Sequence, residues 1–100
     1  MTVMTVEKAM KRVSRGVKLL NKEMPGWRSL IEVDTLRLEH EEACVIGQVM
    51  GNFENLEELG IPLDDAWRFG FDTDNETTYE DTNYNYHLLQ ECWIFAINRG

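Results

Sequence analysis

Apolar positions near the start of the chain recur at the spacing of one face of an α-helix. They step by four and three residues and comprise Val6, Met10, Val13, Val17, Leu20 and Met24. This period predicts an amphipathic helix with an apolar inner face. Thr5 is expected to cap its start, because a threonine oxygen can accept a backbone N–H bond there. Pro25 and Gly26 are expected to end it.

Between Trp27 and Leu38 the pattern predicts little regular structure. Trp27, Leu30 and Ile31 have the spacing of an inward-facing turn or short helix. From Asp34 onward no period is sustained over enough residues to predict a helix or a strand. We therefore expect an irregular connection between the first helix and the middle of the chain.

The apolar run CVIGQVMG predicts a buried helix at about 41–50. Gly51 is expected to end this helix in the left-handed conformation, because glycine has no side chain to clash there. Asn52 is expected to cap the next helix, at 53–59. Another short helix should follow at about 64–69, and each of the two should end at a glycine.

Gly47 and Gln48 are unusual residues for a buried helix. Without a side chain, Gly47 is expected to let the last helix of the chain approach closely. The approaching stripe is predicted to be Leu88, Cys92 and Ala96. A buried amide left without partners costs ~1–3 kcal/mol, so Gln48 must form hydrogen bonds. We predict that it binds loop backbone near Gly26 or Val33, and that Gly47, Gln48 and Gly51 are structural residues.

The last third of the chain combines a polar segment with a strongly apolar helix. Residues 72–83 are rich in Asp, Asn, Thr and Glu, which predicts a solvated loop. At about 84–98 apolar residues occupy most of the helical circumference, as is typical of the central helix of a bundle. We therefore predict an all-α, single-domain bundle over residues 5–100, with long first and last helices bracketing three or four short ones. Residues 1–4 are predicted to be disordered.

Charge is divided unequally along the chain. The net charge is −8, but residues 1–28 carry +5 and residues 29–100 carry −13. The basic residues form the outer face of the first predicted helix: Lys8, Lys11, Arg12, Arg15, Lys18 and Lys22. We expect this face to be solvated, or packed on the acidic body of a second copy in a homo-oligomer. The acidic remainder argues against direct binding to nucleic acid.

The acidic residues of the second half predict a partner-binding face. They are Glu54, Glu57, Glu58, Asp64, Asp65, Asp72, Asp74, Glu76, Glu80 and Asp81. Carboxylates three or four residues apart on a helix lie ~5–6 Å from each other, which approaches the charge density of a phosphate backbone. Such a face is suited to the cationic groove of a nucleic-acid-binding protein. The alternative is that the acids only keep a small protein in solution.

Signals for catalysis or metal binding are weak. His40 and Cys44 have helical spacing, but His87 and Cys92 lie five residues apart and point about 140° away from each other. The polar segment at 72–83 lacks the glycine and the glutamate of a calcium-binding loop. No nucleophile, phosphate-loop or zinc-peptidase motif is present. We therefore expect no enzymatic activity, no metal and no cofactor.

A small-ligand binder, for example of nucleotides, is the alternative function. Aromatic side chains are available for stacking on bases: Trp27, Trp67, Trp93, Tyr79, Tyr84 and Tyr86. Phosphate contacts would come from Arg12, Arg15 or Arg28. Aromatic side chains are nevertheless most often core residues.

No apolar run approaches the ~18 residues that span a bilayer, and no signal region precedes the first helix. We therefore expect no membrane contact and a cytoplasmic location.

Several short motifs follow each other in an order that resembles a known family. They are PGW at 25–27, DTL at 34–36, CVIGQVMG at 44–51, LGI at 59–61, GFD at 70–72 and the final Trp-containing helix. Together they resemble small uncharacterised proteins of bacteriophages, prophages and actinobacterial genomes. Where that family tends to carry a second cysteine, this chain has Glu42 and Ala43. The resemblance implies a phage or prophage setting and no catalytic residues. Together with the charge of −13 on residues 29–100 and the absence of catalytic motifs, it leads us to expect a non-enzymatic interaction protein whose acidic face binds a host protein. The most specific form of this hypothesis is an acidic inhibitor that mimics nucleic acid and binds a host nucleic-acid-binding or defence protein.

Overall fold

A computed structural model describes residues 4–73 and 79–99 of the chain, without the side chains of residues 79–81. It contains three α-helices: α1 (Val6–Glu23), α2 (Val45–Met50) and α3 (Tyr79–Arg99). Four 3₁₀ helices lie between α1 and α3: Trp27–Leu30, Val33–Thr35, Phe53–Leu59 and Leu63–Phe69. The described residues form no strand. The prediction of an all-α fold with long first and last helices is confirmed.

α1 begins and ends as predicted, but its inner face is rotated. Thr5 Oγ1 accepts a hydrogen bond from the Lys8 backbone N–H at 3.2 Å. The residues that α1 buries are Ala9, Val13, Gly16 and Leu20. Val6 and Met10, which were predicted to face the core, are about half exposed. The rotation arises because the small residues Ala9 and Gly16 allow close packing on that side of the helix.

α1 and α3 pack together and run in the same direction. The Met4 backbone N–H donates to Asn85 Oδ1 at 3.2 Å, near the start of α3. Further along both helices, a Cβ atom on Gly16 would lie only 2.8 Å from the Trp93 ring. The prediction of a disordered start is wrong for Met4, which is buried. Residues 1–3 lie outside the described residues.

Aromatic rings form the centre of the core on one side of the α1–α3 pair. Trp93 stacks on Phe71 with ring centroids 5.5 Å apart, and Trp27 meets it edge-on at 5.8 Å. Trp93 Nε1 donates to the carbonyl of Gly70 at 2.7 Å, which satisfies the only polar atom of the buried ring. Gly16 makes room for this ring, since any side chain there would overlap it.

The two longer helices of the middle segment are 3₁₀ helices rather than the α-helices predicted. Apolar residues recur at a strict spacing of three, which in a 3₁₀ helix places them in one line. The lines are Phe53, Leu56 and Leu59, and then Leu63, Ala66 and Phe69; all six are buried or half-buried. The predicted limits hold, because Asn52 Oδ1 accepts from the Glu54 N–H at 2.9 Å and Gly60 and Gly70 end the two helices.

α2 begins at Val45, four residues later than predicted, after a series of turns. Cys44 caps it, since its sulfur accepts a hydrogen bond from the Gly47 N–H at 3.3 Å. Gly51 ends it with a positive φ of 95°. The predicted role of Gly47 is wrong. A Cβ atom there would lie 2.5 Å from the Glu41 carbonyl oxygen, so Gly47 admits the preceding turn and not the last helix.

The Gln48 side chain forms hydrogen bonds to the backbone of two loop segments. One of them, at Glu32, lies next to Val33, as predicted. Its Oε1 accepts from the Glu32 backbone N–H at 2.6 Å. Its Nε2 donates to the carbonyls of Glu32 at 3.2 Å and Ala43 at 3.1 Å. The amide therefore uses both of its ends, and it positions the chain entering α2 against the Val33–Thr35 helix.

The last helix differs from its prediction in length and in burial. α3 begins at Tyr79, so the predicted loop is wrong for 79–83, and its part at 74–78 lies outside the described residues. α3 is not buried on all sides, as the predicted central helix of a bundle would be. Leu89 and Trp93 are fully buried, but Phe95 is exposed and Cys92 is half-buried. Leu30 is also exposed, against the prediction that it faces inward.

Candidate functional site

An apolar groove of about 780 Å³ lies between α1 and α3. Helical geometry places it beside the buried stripes of both helices, on the side away from the Trp93 cluster. Its walls come mainly from six apolar side chains: Val6, Met10 and Val17 of α1, and Leu88, Cys92 and Phe95 of α3. The volume falls in the range of binding clefts in proteins.

The exposed apolar side chains of the molecule are concentrated at this groove. Val6, Met10 and Phe95 are 53%, 50% and 56% exposed. Only two other large apolar side chains of the described residues, Leu30 and Tyr84, are exposed to a similar degree. A contiguous apolar surface of this kind marks an interaction site more often than scattered exposed residues do.

Charged side chains line the rim of the groove. The Arg28 guanidinium lies over the Trp27 ring at 4.7 Å and donates from Nη1 to Asn21 Oδ1 at 3.3 Å. Arg99 lies over the Phe95 ring at 5.5 Å. Glu91 lines the same wall of α3 as Arg99. The groove therefore has an apolar floor and a rim that carries both signs of charge.

Cys92, which lies in the groove, and Cys44, which lies in the core, are poor candidates for a catalytic nucleophile. Burial raises the pKa of Cys44, and the hydrogen bond from Gly47 offsets only part of this effect. Burial also raises the pKa of Cys92, with a smaller contribution from the charge of Glu91. Both side chains are therefore protonated near neutral pH, when a nucleophile would need to be a thiolate. Within the part of the chain that the structure describes, no three potential metal ligands cluster.

A much smaller cleft, of about 80 Å³, lies beside Cys44, Phe71 and Tyr86. Tyr86 Oη donates to Asp72 Oδ1 at 2.6 Å across this cleft. Burial, together with this hydrogen bond to a carboxylate, raises the Tyr86 pKa well above its usual range. The pair fixes α3 to the segment that follows Gly70, so Asp72 has a structural role and is only partly available to a partner.

The predicted acidic face is only partly available as a surface. Four of its members are exposed: Glu54, Glu57, Glu58 and Asp64. In a 3₁₀ helix Glu54 and Glu57 share one line, and Glu58 lies about 120° away from them. Asp65 is paired with Arg68 at 3.3 Å. Asp74 and Glu76 lie outside the described residues, and Glu80 and Asp81 belong to α3 but their side chains are outside the description.

The predicted basic face separates into exposed lysines and two arginines that contact the Leu63–Phe69 helix. Lys8, Lys11, Lys18 and Lys22 are exposed. Arg12 lies over the Trp67 ring at 4.8 Å, and Arg68 lies over it at 4.9 Å. Arg15 Nη1 donates to the Arg68 carbonyl at 3.3 Å. The arginines therefore fasten α1 to the Leu63–Phe69 helix, whereas the lysines remain on the surface.

The aromatic residues proposed for nucleotide stacking are mostly structural. Trp27 and Trp93 are buried in the core, and Trp67 is flanked by two guanidinium groups. Tyr86 is engaged with Asp72, Tyr84 is exposed, and the side chain of Tyr79 lies outside the description. The described rings therefore do not form a stacking platform around a common pocket.

Sequence reasoning missed the groove although its residues were in view. Val6 and Met10 were assigned to the core because they share a helical face with Val13 and Val17. The signal that could have revealed them is the pair Ala9 and Gly16, whose small size marks the side of closest packing.

Comparison with protein-family models, curated proteins and solved structures finds no match to this chain. None of the described helices has the length and apolar character needed to cross a bilayer.

Proposed function

We propose that this protein is a non-enzymatic interaction protein that binds a segment of a partner protein in the groove between α1 and α3. The observation that carries the proposal is the half exposure of Val6, Met10 and Phe95 around a single apolar groove. Leaving these side chains in water costs free energy, since each buried CH₂ group is worth about 0.8 kcal/mol. A partner that covers them recovers that free energy.

The chemistry of the chain supports binding rather than catalysis. The two thiols are protonated and at least partly buried, and the histidines lie at exposed positions. The bacteriophage setting is part of the proposal and rests on the motif resemblance. A host protein as partner is also part of it and rests on the same resemblance together with the acidic second half of the chain. The proposed cytoplasmic location rests on the lack of an apolar run of ~18 residues in this sequence.

The acidic surface supports a second candidate function, namely mimicry of a nucleic acid. Glu54, Glu57, Glu58 and Asp64 are exposed, and no salt bridge of the described residues involves them. Four free carboxylates on two adjoining helices can enter a cationic groove of a nucleic-acid-binding protein. This surface carries no apolar component, so it depends on charge and would lose affinity as salt rises.

A photo-crosslinking experiment tests the two candidates in parallel. A benzophenone amino acid is placed either at Ser14, which lines the groove, or at Glu57, which lies on the acidic surface. Both positions are exposed, so the fold should tolerate both substitutions. The proteins are expressed in bacterial cells, irradiated and analysed for adducts.

The groove proposal expects an adduct from position 14 that disappears when Met10 is replaced by serine. Adducts from position 57 alone, sensitive to salt and insensitive to Met10→Ser, would replace it with the mimic proposal. Adducts from neither position would contradict both. Circular dichroism of each variant, compared with the unmodified protein, shows that lost adducts do not reflect unfolding.

A further inference from the structure

We infer that the groove binds a short amphipathic helix of the partner, whose apolar stripe is flanked by acidic side chains. The inference rests on the proposed docking function and adds the shape and the charge of the occupant. It follows from three features of the groove: the length of its walls, its openness and the balance of charge on its rim.

The walls of the groove suit a helix about three turns long. Eleven residue steps separate Val6 from Val17 on α1, which is about 17 Å at ~1.5 Å per residue. Both walls are α-helices whose backbone groups are already paired within each helix. An extended segment laid between them would bury N–H and C=O groups without partners, at a cost of several kcal/mol. A helix brings its own backbone hydrogen bonds and avoids this cost.

The openness of the groove favours a helix over a small apolar molecule. A small-molecule site typically buries ~70–90% of its ligand, and this requires an enclosed cavity. Here the side chains that form the upper walls, Val6, Met10 and Phe95, are about half exposed to solvent. A third helix seated across them would cover all three at once, with its own apolar residues at spacings of three and four.

Cations outnumber carboxylates along the rim. Arg28 and Arg99 line the groove directly. Lys11 and Lys18 are exposed and flank Ser14 at the helical spacings of three and four residues, so they border the α1 wall. The carboxylates of the rim are Glu7, next to Met10 on the helix surface, and Glu91, which lies 3.8 Å from His87. Four cations against two carboxylates favour acidic flanks on the occupant.

Arg28, which lines the groove, carries one unpaired donor. Its Nε–H is buried and has no acceptor among the described residues, although Nη1 donates to Asn21. Buried donors in native proteins are almost always paired. The positive charge of this guanidinium at the groove wall adds to the attraction for acidic side chains of an occupant.

The same charge balance disfavours a second copy of this chain as the occupant. In a two-fold dimer that paired groove with groove, the two cationic rims would face each other and repel. The acidic 3₁₀ helices of a second copy are not suitable either, because they turn their apolar lines inward. Leu56 of the Phe53–Leu59 helix and Ala66 of the Leu63–Phe69 helix are fully buried.

Two designed peptides test the inference. Both are helix-stabilised, about twelve residues long, and carry leucines at positions i, i+3 and i+7. The acidic peptide has glutamate beside the leucine stripe, and the basic peptide has lysine at the same positions. Binding to the full chain is measured by fluorescence anisotropy at several salt concentrations. We expect the acidic peptide to bind about 10-fold more tightly at low salt, and we expect this preference to shrink as salt rises.

Matched variants locate the binding. Ser14→Trp fills the groove from an exposed position and should abolish binding of the acidic peptide. Lys8→Trp adds the same ring to the far side of α1 and should leave binding unchanged. Lys11→Gln combined with Arg99→Gln should reduce the acidic peptide's advantage to within about 3-fold, because two of the four rim cations are removed. Circular dichroism confirms that each variant keeps its helical content.

Three outcomes would overturn the inference while leaving the docking function standing. One is equal or tighter binding of the basic peptide. Another is binding of neither peptide together with a dimer, detected by light scattering, that Ser14→Trp abolishes. The third is binding of neither peptide together with a rise in Tm on adding dodecanoate, which would assign the groove to a small amphiphile. If Ser14→Trp affects no interaction at all, the docking function fails as well.

Discussion

The two sides of the α1–α3 pair differ in how their apolar residues are covered. On the closed side Trp93 lies against Gly16 and is fully buried, stacked on Phe71 and bonded to the Gly70 carbonyl. On the open side Met10 and Phe95 both line the groove and are about half exposed. The same two helices therefore contribute both to a sealed core and to an open surface.

The difference depends on which side the connecting segments cover. Phe71 and the Leu63–Phe69 helix pack on the closed side, whereas Arg28 is the only residue of the described connecting segments that lines the groove on the open side. Helical amphipathicity alone does not distinguish the two sides, because both carry apolar residues. The comparison teaches that an apolar stripe on a helix identifies a surface to be covered without identifying what covers it.

Truncation of an aromatic residue on each side of α3 should give the largest contrast. Trp93→Ala removes a fully buried ring, so we expect it to lower the free energy of unfolding by about 3–5 kcal/mol. Phe95→Ala, two residues away, removes an exposed ring and should change it by less than about 1 kcal/mol. Urea denaturation followed by circular dichroism measures both. Similar losses for the two variants would contradict the distinction between closed and open sides.

Two alanine substitutions on α1 test the same difference between the closed side and the open side. A Cβ atom on Gly16 would overlap the Phe69 carbonyl oxygen and would lie 2.8 Å from the Trp93 ring. Alanine favours a helix by about 1 kcal/mol over glycine, but the overlap with backbone outweighs this gain. We expect Gly16→Ala to destabilise the protein by about 2 kcal/mol. Ser14→Ala on the open side is the control and should stay within about 0.5 kcal/mol. A Gly16→Ala variant that is more stable than the unmodified protein would contradict the close approach of the Trp93 ring and the Phe69 carbonyl to Gly16.

Loosening the connecting segments should have a smaller effect. Gln48→Met keeps most of the side-chain volume and removes the three hydrogen bonds to Glu32 and Ala43. Because Gln48 is half-buried, water can replace part of what is lost, and we expect a loss of about 1–2 kcal/mol. Thermal denaturation measures the loss. Hydrogen exchange at the Glu32 amide should accelerate at the same time. An unchanged exchange rate would contradict the hydrogen bond from this amide to Gln48 Oε1.

The alkylation rates of the two cysteines compare the open groove with the closed core in the unmodified protein. Burial raises the pKa of both thiols, so at neutral pH the thiolate fraction is smaller than for an ordinary cysteine and alkylation is slow. The rate should increase as the pH rises toward the thiol pKa. Cys92, in the groove, should react at least about 10-fold faster than Cys44, whose reaction requires local opening. Mass spectrometry after iodoacetamide treatment between pH 7 and pH 9 measures both rates. Equal rates would contradict the assignment of Cys92 to an open groove.

Local signals in the sequence predicted the limits of most elements. Thr5 and Asn52 cap their helices as predicted. Gly51 ends α2 with a positive φ as predicted, but its ψ of −33° lies outside the left-handed helical region. Gln48 was also predictable, because a buried amide needs partners and loops supply them. These features depend on neighbours in the chain, so the sequence carries them directly.

Features that depend on distant packing were not predictable. The burial of Ala9 and Gly16 requires knowing that an indole ring lies opposite, 77 residues away in the case of Gly16 and Trp93. Phe53, Leu56 and Leu59 have the three-residue spacing of a 3₁₀ helix, but over only two turns this spacing fits an α-helix almost as well, so the sequence did not distinguish the two. The groove was missed because it exists only where no other segment covers the two helices.

The pairing of the first helix with the last also governs the order in which the molecule can fold. The hydrogen bond from Met4 to Asn85 joins residues 81 positions apart. Contacts at such separation require closure of a long loop, so this domain should fold more slowly than helical bundles built from neighbouring hairpins. During synthesis α1 leaves the ribosome long before α3 exists. Its apolar face therefore stays uncovered during that interval, until α3 is available to pack on it.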